Sequence, residues 1–246
     1  MEDKYINNWH RVWSKRCMPE SGQGTVLEKL ISADGFDSPL GLMEEKDFRD
    51  YVSLLANRIY ITKDDSIFEV GCGAEAFIYP FYEAGHQVSG IDYSKELINI
   101  ALEAMPLAKE SLQVIEATSC KTEPPYDVIF ANHVIHYFSS LDYVSDALNI
   151  IFKKVKRVIA ISGIPNASMK DESEKMRKGL LTDKQYELKY KGLEILYFDK
   201  GWFEAIAENE GFSVEFFKHE MPGFAQNQYR FDCVFVKKDE ANGNQN

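Results

Sequence analysis

The sequence has few cysteines and a deficit of positive charge. Its four cysteines, Cys17, Cys72, Cys120 and Cys233, are scattered without a Cys-x-x-Cys pair, which argues against a disulfide framework and a structural zinc site. The 28 lysine and arginine residues oppose 39 aspartate and glutamate residues, for a net charge of −11, so no overall positive field favours nucleic acid or anionic lipid. We therefore expect a cytoplasmic protein with no metal and no nucleic-acid partner.

Long apolar runs are also missing. The most apolar stretch, 126–138, is interrupted by Asp127, Asn132 and two histidines, and it falls short of the roughly 20 apolar residues that a spanning helix requires. The first ten residues are rich in charged and amide side chains, which is unlike a secretory signal. These features predict a soluble protein without a membrane partner and leave its oligomeric state open.

From residue 64 onward, β-like runs alternate with helical segments. Such alternation is typical of crossover units on a parallel sheet with helices on both faces. The last two runs are joined by a short linker, which predicts a hairpin and an antiparallel last strand. The expected fold is α/β, a Rossmann-like, seven-stranded, mostly parallel sheet. The predicted strands are Ser66–Val70, Gln87–Ile91, Leu112–Glu116, Asp127–Ala131, Val155–Gly163, Ser213–Lys218 and Tyr229–Val236.

Two segments fall outside this alternation. Residues 1–63 are predicted to form an N-terminal helical cap, since apolar residues recur at helical spacing over 44–60. Residues 164–199 form an insertion before the last helix, rich in charge and tyrosine, which we expect to act as a lid. The main domain is expected over 64–238, followed by a disordered tail, 239–246.

A glycine pair lies between the first predicted strand and the helix that follows. The string Glu69-Val-Gly71-Cys-Gly73 permits a tight turn and close approach of a ligand to the backbone, and Asp92 ends the second strand, where a carboxylate can accept both ribose hydroxyls. Strand, turn, helix and strand-terminal acid in register predict a site for a nucleoside cofactor.

Two classes of cofactor fit this frame. With Ala76 the string also reads as a dinucleotide fingerprint, in which a pyrophosphate lies at the helix N-terminus. Glu75 would place a carboxylate there, whereas the sulfonium and ammonium groups of S-adenosylmethionine tolerate acids. Charge therefore favours methyl transfer. An NAD(P)-dependent oxidoreductase and a catalytically inactive, cofactor-binding regulatory domain remain as alternatives.

These residues resemble the class I S-adenosylmethionine-dependent methyltransferases, whose first motif is an acid, an apolar residue and Gly-x-Gly. The resemblance covers 65–163 and implies that the glycine loop packs on the methionyl part, that Asp92 binds the ribose, and that S-adenosylhomocysteine is the product. Glu75 replaces the family's third glycine, and no acid follows Glu116 at the third strand. The candidate cofactor-binding residues are Glu69, Gly71, Gly73, Asp92, Tyr93, Ala117, Thr118 and Asn132.

The acceptor is expected beyond the carboxyl ends of the strands, where several histidines fall. A hydroxyl acceptor benefits from a general base, and histidine suits that role near neutral pH. We predict His136 as the catalytic base, with His133 and His219 as alternatives, and a rate that rises through a pKa near ~6.5. The acceptor is predicted to be a small molecule methylated on a hydroxyl oxygen, with an amine as the competing acceptor.

Overall fold

Seven strands form one mixed sheet in the computed structural model, which describes residues 8–17, 24–36, 43–179 and 182–238. The strands are β1 (Ile67–Val70), β2 (Val88–Asp92), β3 (Leu112–Val114), β4 (Tyr126–Asn132), β5 (Val155–Pro165), β6 (Phe212–Lys218) and β7 (Arg230–Lys237). Their order is β3-β2-β1-β4-β5-β7-β6. Strand β7 pairs antiparallel with β5 and β6, and the other neighbouring pairs are parallel. The predicted Rossmann-like sheet with an antiparallel last strand is confirmed.

Nine α-helices surround the sheet within the described ranges. They are α1 (Asn8–Trp13), α2 (Val26–Ala33), α3 (Glu45–Arg58), α4 (Tyr79–Glu83), α5 (Lys95–Ala104), α6 (Leu141–Lys154), α7 (Lys170–Gly179), α8 (Asp183–Tyr190) and α9 (Lys200–Glu210). The side chains of Ser94 and Ser140 cap α5 and α6 by accepting backbone N–H groups of the first turn. Gly211, at φ +76°, ends α9 in the left-handed conformation.

The helices cover the sheet with two apolar clusters. One joins side chains of α2 to α5 to the sheet, including Leu30, Phe48 and Phe130. The other joins α6 and α9 to the opposite face, including Leu148 and Phe203. The described cap helices α2 and α3 therefore share the main core and do not build one of their own.

One helix begins later than the sequence predicts. The spacing of apolar residues predicts a helix over 75–84, but α4 begins only at Tyr79, next to Pro80. Glu75 adopts a φ of +69°, which a right-handed helix cannot contain. The glycine loop is consequently longer than its spacing suggests.

A bulge interrupts the pairing of β5 with β7. The register shifts between Ile161 and Ile164, and Gly163 has a φ of +70°. A Cβ on Gly163 would lie 2.5 Å from the imidazole of His133. Glycine at the bulge therefore makes room for a histidine that follows the adjacent strand.

The insertion meets the N-terminal cap across the top of the sheet. Asn8 Nδ2 donates to the Gly192 carbonyl at 2.8 Å, and Trp9 Nε1 donates to the Glu194 carbonyl at 2.7 Å. Helix α1 and the end of the insertion are thus held together by two hydrogen bonds. In the described ranges no helix is long and apolar enough to cross a membrane, and the predicted tail, 239–246, lies outside them.

The shared core predicts how the cap contributes to stability. Replacing Leu55, which is 2% exposed, with alanine should lower the free energy of unfolding by about 2–5 kcal/mol because it leaves a cavity in the main core. The neighbouring Leu54 is 37% exposed, so Leu54→Ala is the matched control with a much smaller effect. Urea denaturation followed by circular dichroism measures both. Equal losses for the two variants, or a separate early transition for Leu55→Ala, would show that the cap folds apart from the sheet.

Candidate cofactor and acceptor site

The glycine loop follows β1 and takes the left-handed backbone conformation at both glycines. Gly71 has a φ of +65° and Gly73 a φ of +56°, so glycine is required for the turn itself. A Cβ would also collide with the protein, within 2.2 Å of Val134 at Gly71 and within 2.3 Å of Asp34 at Gly73. The loop is therefore shaped by the cap and by the end of β4.

The sequence position of Glu75 suggested a carboxylate at the start of a helix, facing the ligand. The structure places it elsewhere. It occupies the left-handed position where the family pattern has its third glycine, and its side chain is fully buried. A Cβ added to Gly90 in β2 would lie 2.1 Å from Glu75 Oε1, which places the carboxyl beneath the loop. Burial raises its pKa to about 8, so it is neutral near pH 7.

Asp92 ends β2 and binds the glycine loop directly. Its Oδ2 accepts the Gly73 N–H at 3.0 Å, and its Oδ1 accepts the Ser94 N–H at 2.7 Å. The side chain is 7% exposed, and burial raises its pKa to about 6. Each carboxylate oxygen can still accept a further hydrogen bond.

A second acid reaches the loop from the cap and was missed in the sequence. Asp34, just after α2, accepts the Ala74 N–H at 2.6 Å and the Ala76 N–H at 3.0 Å. Burial raises its pKa to about 7. A single aspartate before Gly35 carries no motif, and only the packing of α2 on the sheet brings it to the loop.

Two adjoining cavities open beside these acids. The first, of about 160 Å³, contains six of the eight predicted cofactor residues, and the second, of about 40 Å³, contains Ala117; Thr118 lines neither. The sequence predicts Glu116 as the last residue of the third strand, but β3 ends at Val114, so Glu116 is an acid that follows the strand; it lines the second cavity and accepts the Tyr143 hydroxyl at 2.6 Å. The six residues in the first cavity are Glu69, Gly71, Gly73, Asp92, Tyr93 and Asn132.

A chain of three side chains leads away from the first cavity. His133 lines the cavity, and its Nε2 lies 3.1 Å from Nε2 of His219. Nδ1 of His219 lies 2.7 Å from Oδ1 of Asp232 in β7. His133 has a φ of +53°, and burial followed by the charge of nearby groups holds the pKa of its imidazole well below its usual range. We call His133, His219 and Asp232 the histidine chain.

His136 is placed differently from the sequence-based expectation. Its side chain is 1% exposed and is absent from the cavity lining, and its Nε2 lies 3.4 Å from Nη1 of Arg230. Two residues separate it from His133, and His136 lies in a short 3₁₀ turn, Ile135–Tyr137, with the two ring centroids 6.5 Å apart. Burial, then the charge of Arg230, lowers its pKa well below the usual range. The structure thus brings His133, and not His136, to the cavity.

Comparison with known proteins identifies the domain that carries this site. Residues 68–164 match the family model described as a methyltransferase domain. Residues 68–164 form a methyltransferase domain, and the sheet has the fold of the class I S-adenosylmethionine-dependent methyltransferases. This methyltransferase uses S-adenosylmethionine as its cofactor, and the dinucleotide alternative is set aside. A comparison with curated proteins finds no match.

Solved structures share the fold of the methyltransferase at low identity. Magnesium protoporphyrin IX methyltransferase (ChlM) of Synechocystis PCC 6803, with bound SAH, has a TM-score of 0.59 at 15% identity, over 94% of this chain and 92% of that one. DesVI of Streptomyces venezuelae has a TM-score of 0.59 at 12% identity, over 87% of this chain and 97% of that one. The N-methyltransferase NodS of Bradyrhizobium japonicum WM9 has a TM-score of 0.55 at 14% identity, over 83% of this chain and 99% of that one. These likenesses support the fold and leave the acceptor open.

The residues of the first cavity fit such a cofactor. Glu69 Oε2 and Trp13 Nε1 are buried there without a hydrogen-bond partner, so an acceptor and a donor await a ligand. Burial, then the neighbouring acids, raises the pKa of Glu69 well above its usual range. A cationic ligand would reduce the electrostatic repulsion between these neighbouring carboxyl groups. No group of three or more histidine, cysteine, aspartate or glutamate side chains in the described ranges is placed to hold a metal.

The raised pKa values predict a pH dependence of binding. Asp92 and Asp34, with pKa values of about 6 and about 7, are largely neutral at pH 5.5 and ionised at pH 8. S-adenosylmethionine carries a sulfonium charge that S-adenosylhomocysteine lacks, so its affinity relative to the homocysteine product should rise about three- to tenfold over this range. Titration calorimetry at several pH values measures the ratio.

Substitution of Asp34 sharpens this test. Asp34→Asn should flatten the rise because it removes one titrating carboxyl, whereas Asp146→Asn, at an exposed position of α6, should leave it unchanged. An identical pH slope for the two ligands in the wild type would mean that these acids do not sense the sulfonium charge.

Proposed function

We propose that this methyltransferase acts on a hydroxyl oxygen of a small-molecule acceptor, with His133 as the general base. The histidine chain carries the proposal, because it connects a cavity-lining imidazole to a buried carboxylate. The four cysteines are free thiols, which supports a reducing, cytoplasmic setting for the enzyme.

The cofactor residues divide by chemistry along the loop. Asp92 would accept the ribose hydroxyls on the lone pairs left by Gly73 and Ser94. Asp34 would neutralise the ammonium group, Glu69 would accept a hydrogen bond from it, and the indole N–H of Trp13 would donate to the methionyl carboxylate. These assignments are supported by the unpartnered atoms of Glu69 and Trp13.

The second cavity suits the adenine ring. Its walls include Ile91, Ile115 and Phe138 as apolar surfaces, and Glu116 supplies an acceptor for an exocyclic amino group. Tyr93 borders both cavities and stacks on His10, with ring centroids 4.0 Å apart. In this proposal the cofactor lies along the ends of β1, β2 and β3, and the acceptor occupies the space beyond β4.

The histidine chain sets the proton positions on each ring. Because a carboxylate only accepts, Nδ1 of His219 would carry a proton toward Asp232, and Nε2 of His219 would accept from Nε2–H of His133. Nδ1 of His133 then holds the lone pair that takes the hydroxyl proton of the acceptor. S-adenosylmethionine supplies a methyl group on a positively charged sulfur and leaves as the neutral thioether. His219 and Asp232 are positioning residues that stabilise the imidazolium formed on His133.

His133 is tested by substitution. His133→Gln should lower turnover about 10²–10⁴-fold while S-adenosylhomocysteine affinity stays near normal. His219→Gln should lower it less and shift the pH profile, because only the orientation of His133 is lost. The lowered pKa of His133 also places the acidic limb of the profile below pH 6.5, in contrast to the sequence-based expectation. Transfer of labelled methyl groups to a panel of phenols, hydroxy acids and primary amines provides the assay.

The control for this series is His86→Gln, because His86 contacts Asp65 and Phe81, residues that line neither cavity. Undiminished turnover in His133→Gln, or methylation of amines alone, would contradict the oxygen assignment. Absence of any turnover in the wild type across the panel would favour the regulatory alternative.

The described parts of the insertion are proposed to act as a lid over the acceptor. Binding of S-adenosylhomocysteine with the best acceptor of the panel should slow hydrogen exchange in α7, α8 and residues 191–197, since Gly192 and Glu194 are hydrogen-bonded to α1, which contributes His10 and Trp13 to the cavities. Trp9→Phe removes the hydrogen bond to Glu194 and should weaken that protection, whereas α6 serves as the internal reference. Exchange that is the same with and without ligands would refute the lid.

A further inference from the structure

Arg230 is a buried cation with half of its guanidinium unpartnered. It begins β7 and is 9% exposed. Its Nη1 donates to the Gly163 carbonyl and lies 3.4 Å from Nε2 of His136. Its Nε is buried without a partner, and no hydrogen bond joins Nη2 to any described residue. The side-on edge formed by Nε and Nη2 therefore makes no hydrogen bond to any described residue.

A second buried arginine stands near Arg230. Arg177 of α7 is 8% exposed; its Nη2 donates to the Tyr197 hydroxyl at 3.0 Å, and its Nε has no partner. Within the described ranges neither arginine lies within 4.0 Å of a carboxylate. Burial, then the charge of Arg177, lowers the pKa of Arg230 only to about 10. Arg230 therefore carries positive charge at neutral pH, which is costly in a buried position without an anion.

The position of Arg230 assigns this charge to the acceptor side. It lines the first cavity together with His133, and it also lines an open cavity of about 640 Å³ beside the β6–β7 loop. Strand β7 lies three strands from β1 in the sheet order, a separation of about 14 Å at ordinary strand spacing. The glycine loop and Arg230 thus flank His133 from opposite directions.

We propose that the Nε–Nη2 edge of Arg230 binds a carboxylate of the acceptor, with Arg177 adding a second positive charge, so that the substrate is a hydroxy-substituted carboxylic acid. This proposal rests on the proposed oxygen methyltransferase function, whose acceptor it narrows. A planar carboxylate matches a side-on guanidinium edge with two parallel hydrogen bonds. Nη1 is already engaged, which leaves one edge, and that edge suits two coplanar oxygens better than the three oxygens of a phosphate.

The anchor is tested by binding, independently of turnover. Benzoate should bind saturably to the full-length protein loaded with S-adenosylhomocysteine, whereas the isosteric neutral benzamide should not, as measured by titration calorimetry at constant ionic strength. Arg230→Gln should weaken benzoate binding about tenfold or more, and Arg177→Gln should weaken it less. Arg157→Gln, near the opposite end of β5, is the matched control and should bind benzoate normally.

Each contrary result has a distinct meaning. Absence of benzoate binding to the wild type, or unchanged binding in Arg230→Gln, overturns the anchor. Phenyl phosphate binding tenfold tighter than benzoate overturns the carboxylate assignment. A tenfold loss of S-adenosylhomocysteine affinity in Arg230→Gln, with normal affinity for methylthioadenosine, would assign the edge to the cofactor's own carboxylate and so overturn the proposal.

A second substitution at position 230 serves if the first variant does not fold, and His133→Gln distinguishes the two proposals. If Arg230→Gln does not fold, Arg230→Lys keeps the charge without the side-on edge and should still lose benzoate affinity. Benzoate binding that persists while His133→Gln retains full turnover would leave the anchor intact and reject only the oxygen chemistry.

Discussion

The buried carboxylate of Asp232 holds together the parts from which the acceptor side is built. Its Oδ2 accepts Arg58 Nη1 of α3 at 3.0 Å, and its Oδ1 accepts both the Gly163 N–H at 2.9 Å and His219 Nδ1 at 2.7 Å. One side chain of β7 therefore fixes the cap, the β5 bulge and the histidine chain. Full pairing of its oxygens offsets the cost of burying the charge, and a loss at this position would disturb all three partners together.

Charge is separated along the carboxyl edge of the sheet. Carboxyls dominate at β1 and β2, where Glu69, Asp92 and the cap residue Asp34 converge, and burial, followed by the charge of neighbouring acids, raises their pKa values. The guanidinium groups of Arg177 and Arg230, which have no carboxylate partner among the described residues, lie where β7 meets the insertion. His133 follows β4, between these regions in the sheet order. A cationic cofactor and an anionic acceptor would each meet an opposite charge, which would orient the two reactants toward each other before any chemistry occurs.

The sequence predicted those features that depend on local pattern. Alternating apolar runs located every strand to within a few residues, and the glycine pair with Asp92 located the loop, because these signals arise within one βαβ unit. Asp34, Asp232 and Arg230 carried no such signal, since their neighbours at the site come from distant segments. The sequence argument for S-adenosylmethionine assumed that Glu75 faces the ligand at the start of a helix. The cofactor class is correct, but that assumption is wrong, because the left-handed backbone at Glu75 places its carboxyl beneath the glycine loop.

The placement of His133 and His136 shows why the histidine that lines the cavity could not be identified from spacing alone. Both follow β4, but His133 holds a left-handed φ that costs of order 1–3 kcal/mol. Its N–H donates to the Ser162 carbonyl at 3.0 Å, and the bulge at Gly163 leaves space for its ring. The conformation of one strand end thus depends on an irregularity in the next strand. That irregularity depends in turn on Asp232, so the ring that reaches the cavity is selected by a residue about a hundred positions later in the chain.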